Sequence, residues 1–466
     1  MNRIVLIGNG FDRAHELPTS YEQFIADYWE TTIKAIRKGK INKLFDNKLV
    51  QFNLILHEYY KPGVNNNMTN EHVITEHCKY SRQGIESEIS RNSQGFHSIK
   101  EVDFKILNKF FDKICSHLDD CKWVDIENNY YKMLKDISQI NSRNIHDLAL
   151  NLNKELAEVE YLLKEYLIKV ESKTKIEENI TSEISKKIYS PFYLKEFSYT
   201  NKIKLITDRS KKIFDILPQT GGNILANNYS PYLNQIKAIY KQLPINNAYY
   251  DDKYIFETLY NWCRLKSLND KIEYIESESD PRRKYLLLSL FSSNETLLLD
   301  FNYTNTTSLY AGGHPDTEII HIHGELNNPK NPMIFGYGDE IGEDYQKIEN
   351  LEENELLKNV KSIRYQDTNN YQRLMEYIES DYYQVFVMGH SCGNSDRTLL
   401  NTLFEHENCL SIKPFFHQSG ENDENNNYSD IVRNISRNFR DKPSMRNKVV
   451  NKTYCESLLE FKKSKT

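Results

Sequence analysis

A few short turns hold the residues most able to do chemistry. Near the start, Gly8-Asn9-Gly10-Phe11-Asp12 follows the apolar residues Ile4 to Ile7. Glycine lets a backbone or a ligand approach where a Cβ would block it, and a glycine turn between a strand and a helix offers unpaired N–H groups to phosphate oxygens. The same arrangement also serves as a plain connection. Further on, Asn302 follows the run Leu297 to Phe301, and His323 closes Glu318-Ile319-Ile320-His321-Ile322-His323 just before Gly324. An asparagine side chain both donates and accepts, and an imidazole accepts a proton near neutral pH, so the two can act as polar anchor and general base. Each type also has an ordinary role, as a turn residue or as a hydrogen-bonded core histidine. His321 and His323 at i, i+2 on a strand share a face and, with Glu325, are metal-type ligands, but a fourth group is missing and no metal is expected. A later turn runs from Gly389 through Ser391 to Asp396, which either hydrogen-bonds a ribose or caps a helix starting near Arg397.

Such turns need elements to hold them. Ile4 to Ile7, Leu297 to Phe301, Glu318 to His323, Gln384 to Met388 and Leu410 to Phe416 read as buried strands, most of them ending in a polar, glycine-containing turn. That pattern predicts a parallel sheet with ligand groups at its carboxyl edge. Pro332 to Phe335 is a further short candidate strand. A helix over Ala14 to Glu30, divided at Pro18, should follow the first turn. From there to about Thr296 the spacing is mostly helical. Phe104, Leu107, Phe111, Ile114 and Leu118 form one amphipathic face, and Tyr130, Leu134 and Ile137 form another. Leu152, Leu156, Val159, Leu163, Tyr166 and Val170 make a heptad seam, suited to core packing within a helical lobe or to a subunit contact. Breaks are expected over Lys61 to Asn70 and at Gly221-Gly222. The architecture expected is a split α/β domain, residues 1–30 plus 290–466, with a helical domain over 31–289 inserted into it.

Composition excludes several classes. With 466 residues, 39% hydrophobic and 27% charged, the chain can bury a large core. Its 60 basic and 66 acidic residues give a net charge of -6, so it carries no overall electrostatic footprint for nucleic acid, and any such contact would be local. The basic residues from Arg433 to Lys452 read as a solvated face. Seven scattered cysteines without a C-x-x-C pair point to reduced thiols in a cytoplasm. No apolar run reaches the ~20 residues a membrane helix needs, and the start lacks signal-peptide character.

The opening GNGFDRAHELPTSYEQF, WVDIEN at Trp123 to Asn128, FNYTNT at Phe301 to Thr306, HIHGEL at His321 to Leu326, IFGYG at Ile334 to Gly338 and GHSCGNSD at Gly389 to Asp396 resemble, in that order, the bacteriophage abortive-infection AbiH family. AbiH proteins in turn resemble, in short motifs, the sirtuin-like NAD-binding fold of bacterial antiphage NADases. The resemblance implies a Rossmann-like, sirtuin-like parallel sheet with a large inserted α-helical lobe, holding NAD as substrate. It assigns Gly8, Asn9 and Gly10, with Phe11 and Asp12 beside them, to the phosphates. It also assigns Asn302 and His323 to catalysis, and Gly389 and Ser391 to the adenine-side ribose, with Asp396 a further candidate for cofactor binding. Two departures stand out: there is no four-cysteine zinc module, and Asp12 follows Gly-Asn-Gly where sirtuins carry small residues.

The nicotinamide of NAD is a cationic leaving group, so cleavage of its bond to ribose needs stabilisation of an oxocarbenium-like sugar more than a general acid. The expected function is therefore a bacterial cytoplasmic antiphage effector, a toxin that hydrolyses NAD, with its helical lobe contacting another copy or a defence partner. The alternative is a non-catalytic module that senses a nucleotide or ADP-ribose and signals through that lobe.

Overall fold

The strands in chain order are β1 (Asn2–Ile7), β2 (Leu44–Asp46), β3 (Val50–Leu56), β4 (Ile99–Ile106), β5 (Thr296–Asp300), β6 (Thr317–His321), β7 (Tyr383–Met388) and β8 (Cys409–Phe415). They are seen in a computed structural model that describes residues 1–37, 44–46, 49–56, 99–119, 126–140, 144–217, 229–240, 251–420 and 426–460. β1 lies in the middle of a parallel five-stranded sheet of order β6-β5-β1-β7-β8. Val5 sits opposite Leu298 on one side and Phe386 on the other. Counted along the chain, the strands of this sheet run 3-2-1-4-5, the dinucleotide-binding order, which reverses between β1 and β7. The α/β class with a Rossmann-like parallel sheet is the one the sequence predicts.

Every residue of β1 is buried, because both faces of the sheet are covered. On one face, Ile180, Ile184 and Ile188 of helix Glu178–Ile188 pack with Val5, Ile7, Leu298 and Met388. On the other, Ile4, Leu6, Leu299 and Val387 meet Leu374 and Ile378 of helix Asn370–Ser380 and Leu400 and Leu403 of helix Arg397–Glu405. At the amino edge, Met1 and Leu410 join a helical core that includes Trp262 and Phe291.

The heptad seam lies on helix Ile145–Lys173, and all six of its residues are buried. It is filled from within the chain, by Phe24 and Trp29, Phe110 and Ile114, Tyr130 and Leu134, and also Phe335 and Tyr337.

Several local expectations change. The stretch read as mostly helical also contains an antiparallel sheet of order β2-β3-β4. Phe104 belongs to β4 and the following helix starts at Lys109. Val102-Asp103-Phe104-Lys105-Ile106 alternates with a period of two, which the helical spacing from Phe104 onward had masked. The first helix begins at Asn9, so Gly10 to Asp12 are helical, with Gly8 extended before them. A second helix begins at Tyr21 behind a capping box, in which Ser20 Oγ accepts from the Gln23 amide at 3.2 Å and Gln23 Oε1 accepts from the Ser20 amide at 3.1 Å. Pro332 to Phe335 is irregular: the Ile334 amide donates to the His323 carbonyl at 2.8 Å, and a Cβ on Gly324, with φ 83°, would lie 2.1 Å from the Pro332 oxygen. Lys61 to Asn70, Gly221-Gly222 and Trp123 to Asp125 lie outside the described residues. No helix among the described residues is long and apolar enough to cross a membrane.

Candidate functional site

At the reversal point, the Gly8 to Asp12 turn packs against Gly389-His390. Gly10 N–H donates to the Gly389 carbonyl at 2.8 Å. A Cβ on Gly8 would lie 2.7 Å from His390 Cα, and one on Gly10 would lie 2.8 Å from the Gly389 oxygen. Gly389, at φ +76°, is itself pressed against Phe11 N. Contact between two loops thus accounts for these glycines, and the crevice at the switch point is filled by the chain's own backbone. Asn9 is exposed, and its side-chain amide donates to the Thr19 carbonyl at 2.7 Å. Phe11 is buried against the Tyr310 ring.

Two buried polar groups flank this contact. In the first, Asp300 at the end of β5 accepts from the Asn302 amide and from Thr307 Oγ1, each at 2.8 Å. Asp12 accepts from Thr304 Oγ1 at 2.6 Å, while its other oxygen has no hydrogen-bond partner. Both acids are 1% exposed. Among the described residues, no lysine or arginine pairs with either. Burial pushes the Asp12 carboxyl up to about 6. It pushes Asp300 well above the usual range, and the charge on Asp12 pushes it further the same way. His321 Nδ1 stands 3.4 Å from Asp300 Oδ2 without a hydrogen bond, and burial lowers the pKa of its ring. Asn302 Nδ2 donates to the Gly8 carbonyl at 3.1 Å and so ties the β5 turn to the β1 turn.

The second group is built around Asp396. Its carboxylate is 2.8 Å from Lys361 Nζ, 3.2 Å from His323 Nε2 and 3.6 Å from His390 Nε2. Lys361 also reaches Glu127 at 2.8 Å. His390 Nδ1 accepts from the Cys392 amide at 3.0 Å, which leaves the proton of the neutral ring on Nε2, facing Asp396. His323 Nε2 is also 3.2 Å from the Tyr365 hydroxyl, and its ring meets Phe301 edge-on. Burial, and next Lys361, lower His323 to about 4. Although desolvation opposes it, Lys361, followed by His323, holds the Asp396 carboxyl well below its usual range.

The structure therefore gathers Asn302 with Gly8, Asp300, Asp12 and His321, and His323 with Asp396, Lys361 and His390. Among the described residues, no hydrogen bond joins Asn302 to His323. The two histidines of HIHGEL enter different groups, so they do not share the face expected of them. Asp396 makes no side-chain cap for helix Arg397–Glu405; its carboxylate turns inward instead. Ser391 is exposed, and its carbonyl accepts from Asn434 Nδ2 at 2.8 Å. Sequence reasoning missed Lys361, Tyr365 and Asp300 as members of these groups. Asp300 carried a signal, since it directly precedes FNYTNT; Lys361 and Tyr365 sit in no motif.

The family model described as bacteriophage abortive infection AbiH matches residues 4–288 and 249–418. Those ranges run from β1 to β8. The chain belongs to the AbiH family. Membership supports a role in phage abortive infection. Neither the curated proteins nor the solved structures contain a match. In this AbiH protein both buried polar groups lie wholly within the matched residues.

Proposed function

We propose that this AbiH protein acts in abortive infection by hydrolysing the nicotinamide–ribose bond of NAD at the carboxyl edge of its sheet. The observation that carries the reading is the pair of buried acids, Asp12 and Asp300, beside Asn302 at the switch point, with no lysine or arginine paired to either among the described residues. Uncompensated carboxylates in a low-dielectric site favour a ligand that develops positive charge, as the ribosyl group does when nicotinamide leaves. Water attacks the ribose C1′ while the bond to nicotinamide breaks, and nicotinamide departs neutral with the bonding electrons. Asp12, whose pKa is raised to about 6, takes the proton released by the water. Asn302 positions the water or a ribose hydroxyl through its carbonyl oxygen, its amide being held by Gly8. In this reading His323 positions Asp396 and the Gly389 loop and does not itself act as the base. Access requires that loop to withdraw from the Gly8 turn.

The filled crevice favours a second reading, a module that senses NAD or ADP-ribose without turnover. Incubating the purified protein with NAD and measuring free nicotinamide separates the two. Under the first reading, Asn302→Ala and Asp12→Asn each lose about 10² to 10⁴ in rate, and the double variant is little worse than either single one. NAD binding with no nicotinamide released would favour sensing. Undiminished release in both variants would place the chemistry elsewhere.

A further inference from the structure

A cavity of about 370 Å³ opens at the opposite, amino edge of the sheet, between helix Pro281–Ser289, the start of β5 and the turn before β6. That is the small end of the range for ligand sites, roughly 300–1,000 Å³, and suits one small molecule rather than a dinucleotide. Its wall combines rings with short polar groups. Tyr189 and His314 stack there with centroids 3.4 Å apart and planes 17° apart. Tyr285 is 58% exposed beside them. Ser292, Asn294 and Asp316 supply polar groups. Among the described residues, no hydrogen bond engages the Ser292 hydroxyl or the Asn294 side-chain amide. Among the described residues, the lining holds no lysine or arginine and one acid, Asp316.

We infer that this cavity is a binding site for a neutral purine nucleoside, separate from the reaction proposed above. Aromatic faces take a base by stacking, and the Asn294 amide and Ser292 hydroxyl are free to meet a base edge or ribose hydroxyls. The same wall disfavours a phosphate, which would find no lysine or arginine among the described lining residues.

Calorimetric titration of the full chain with adenosine, and with AMP as its phosphorylated counterpart, tests this. Adenosine should bind at least about tenfold more tightly than AMP. Tyr285→Ala and Asn294→Ala should each weaken adenosine binding about fivefold or more with the unfolding midpoint unchanged, while Asp12→Asn leaves it intact. The inference is overturned by any of three results: no heat from adenosine up to about 5 mM, AMP binding as tightly as adenosine, or a loss in Asp12→Asn but not in the amino-edge variants.

Discussion

The two buried polar groups at the carboxyl edge are built from similar side chains yet differ in their charge balance. Around Asp396, one ammonium stands between two carboxylates, His323 Nε2 approaches the same Asp396 oxygen as Lys361, and His390 Nε2 faces the other oxygen at 3.6 Å, so each charge has a partner. Around Asp12 and Asp300 the described partners are hydroxyls, a backbone amide and the imidazole of His321. A satisfied buried network holds loops in one arrangement. An unsatisfied one keeps a group near its titration point and ready for something else to supply the missing charge. The difference separates a group that fixes structure from one suited to function.

Lys361→Met should produce the largest effect, a loss of about 3–5 kcal/mol in chemical denaturation, because it leaves Glu127 and Asp396 as buried acids without their cation. A loss under about 1 kcal/mol would mean that the second group is not structural. Asp12→Asn should act in the opposite direction and stabilise by roughly 2–3 kcal/mol at pH 8. The sign follows from the raised pKa: this contribution of Asp12 is fully present below the unfolded value of 3.8 and is lost as pH rises through about 6. His323, lowered from 6.5 to about 4, works the other way, since its contribution is complete above 6.5 and is lost as pH falls toward 4. Asp12→Asn should therefore lose stability on acidification more steeply than the wild type, and parallel pH profiles would contradict the assignment. The smallest effect is expected from Thr304→Val, which removes the hydroxyl donated to Asp12 and should cost ~1 kcal/mol. In a nicotinamide-release profile it should also move the acid limb to higher pH.

The sheet was legible because each of its strands is a short apolar run ending in a turn, and Leu152 to Val170 was legible because a long heptad has no competing reading. β4 was not, since Phe104 fits a strand from one side and a helix from the other, and only pairing with β3 decides between them. The site was legible turn by turn. Its grouping was not: His321 and His323 are two residues apart, but β6 ends at His321 and His323 lies past the strand, and Lys361 joins Glu127 to Asp396 across separations no local pattern can carry. The glycines were read correctly as positions of close approach, but what approaches is another loop.

β1 precedes the other strands of its sheet by a long stretch of chain, because one neighbour begins at Thr296 and the other ends at Met388. At about 5–20 residues per second, on the order of 20–80 s of synthesis separate its emergence from that of its second partner. Until β5 arrives an apolar strand with two open edges, a natural client for chaperones, is exposed in the nascent chain, and one edge stays open until β7 follows. The group around Asp396 cannot assemble before that interval ends, so a product truncated ahead of that residue lacks the network that fixes the Gly389 loop.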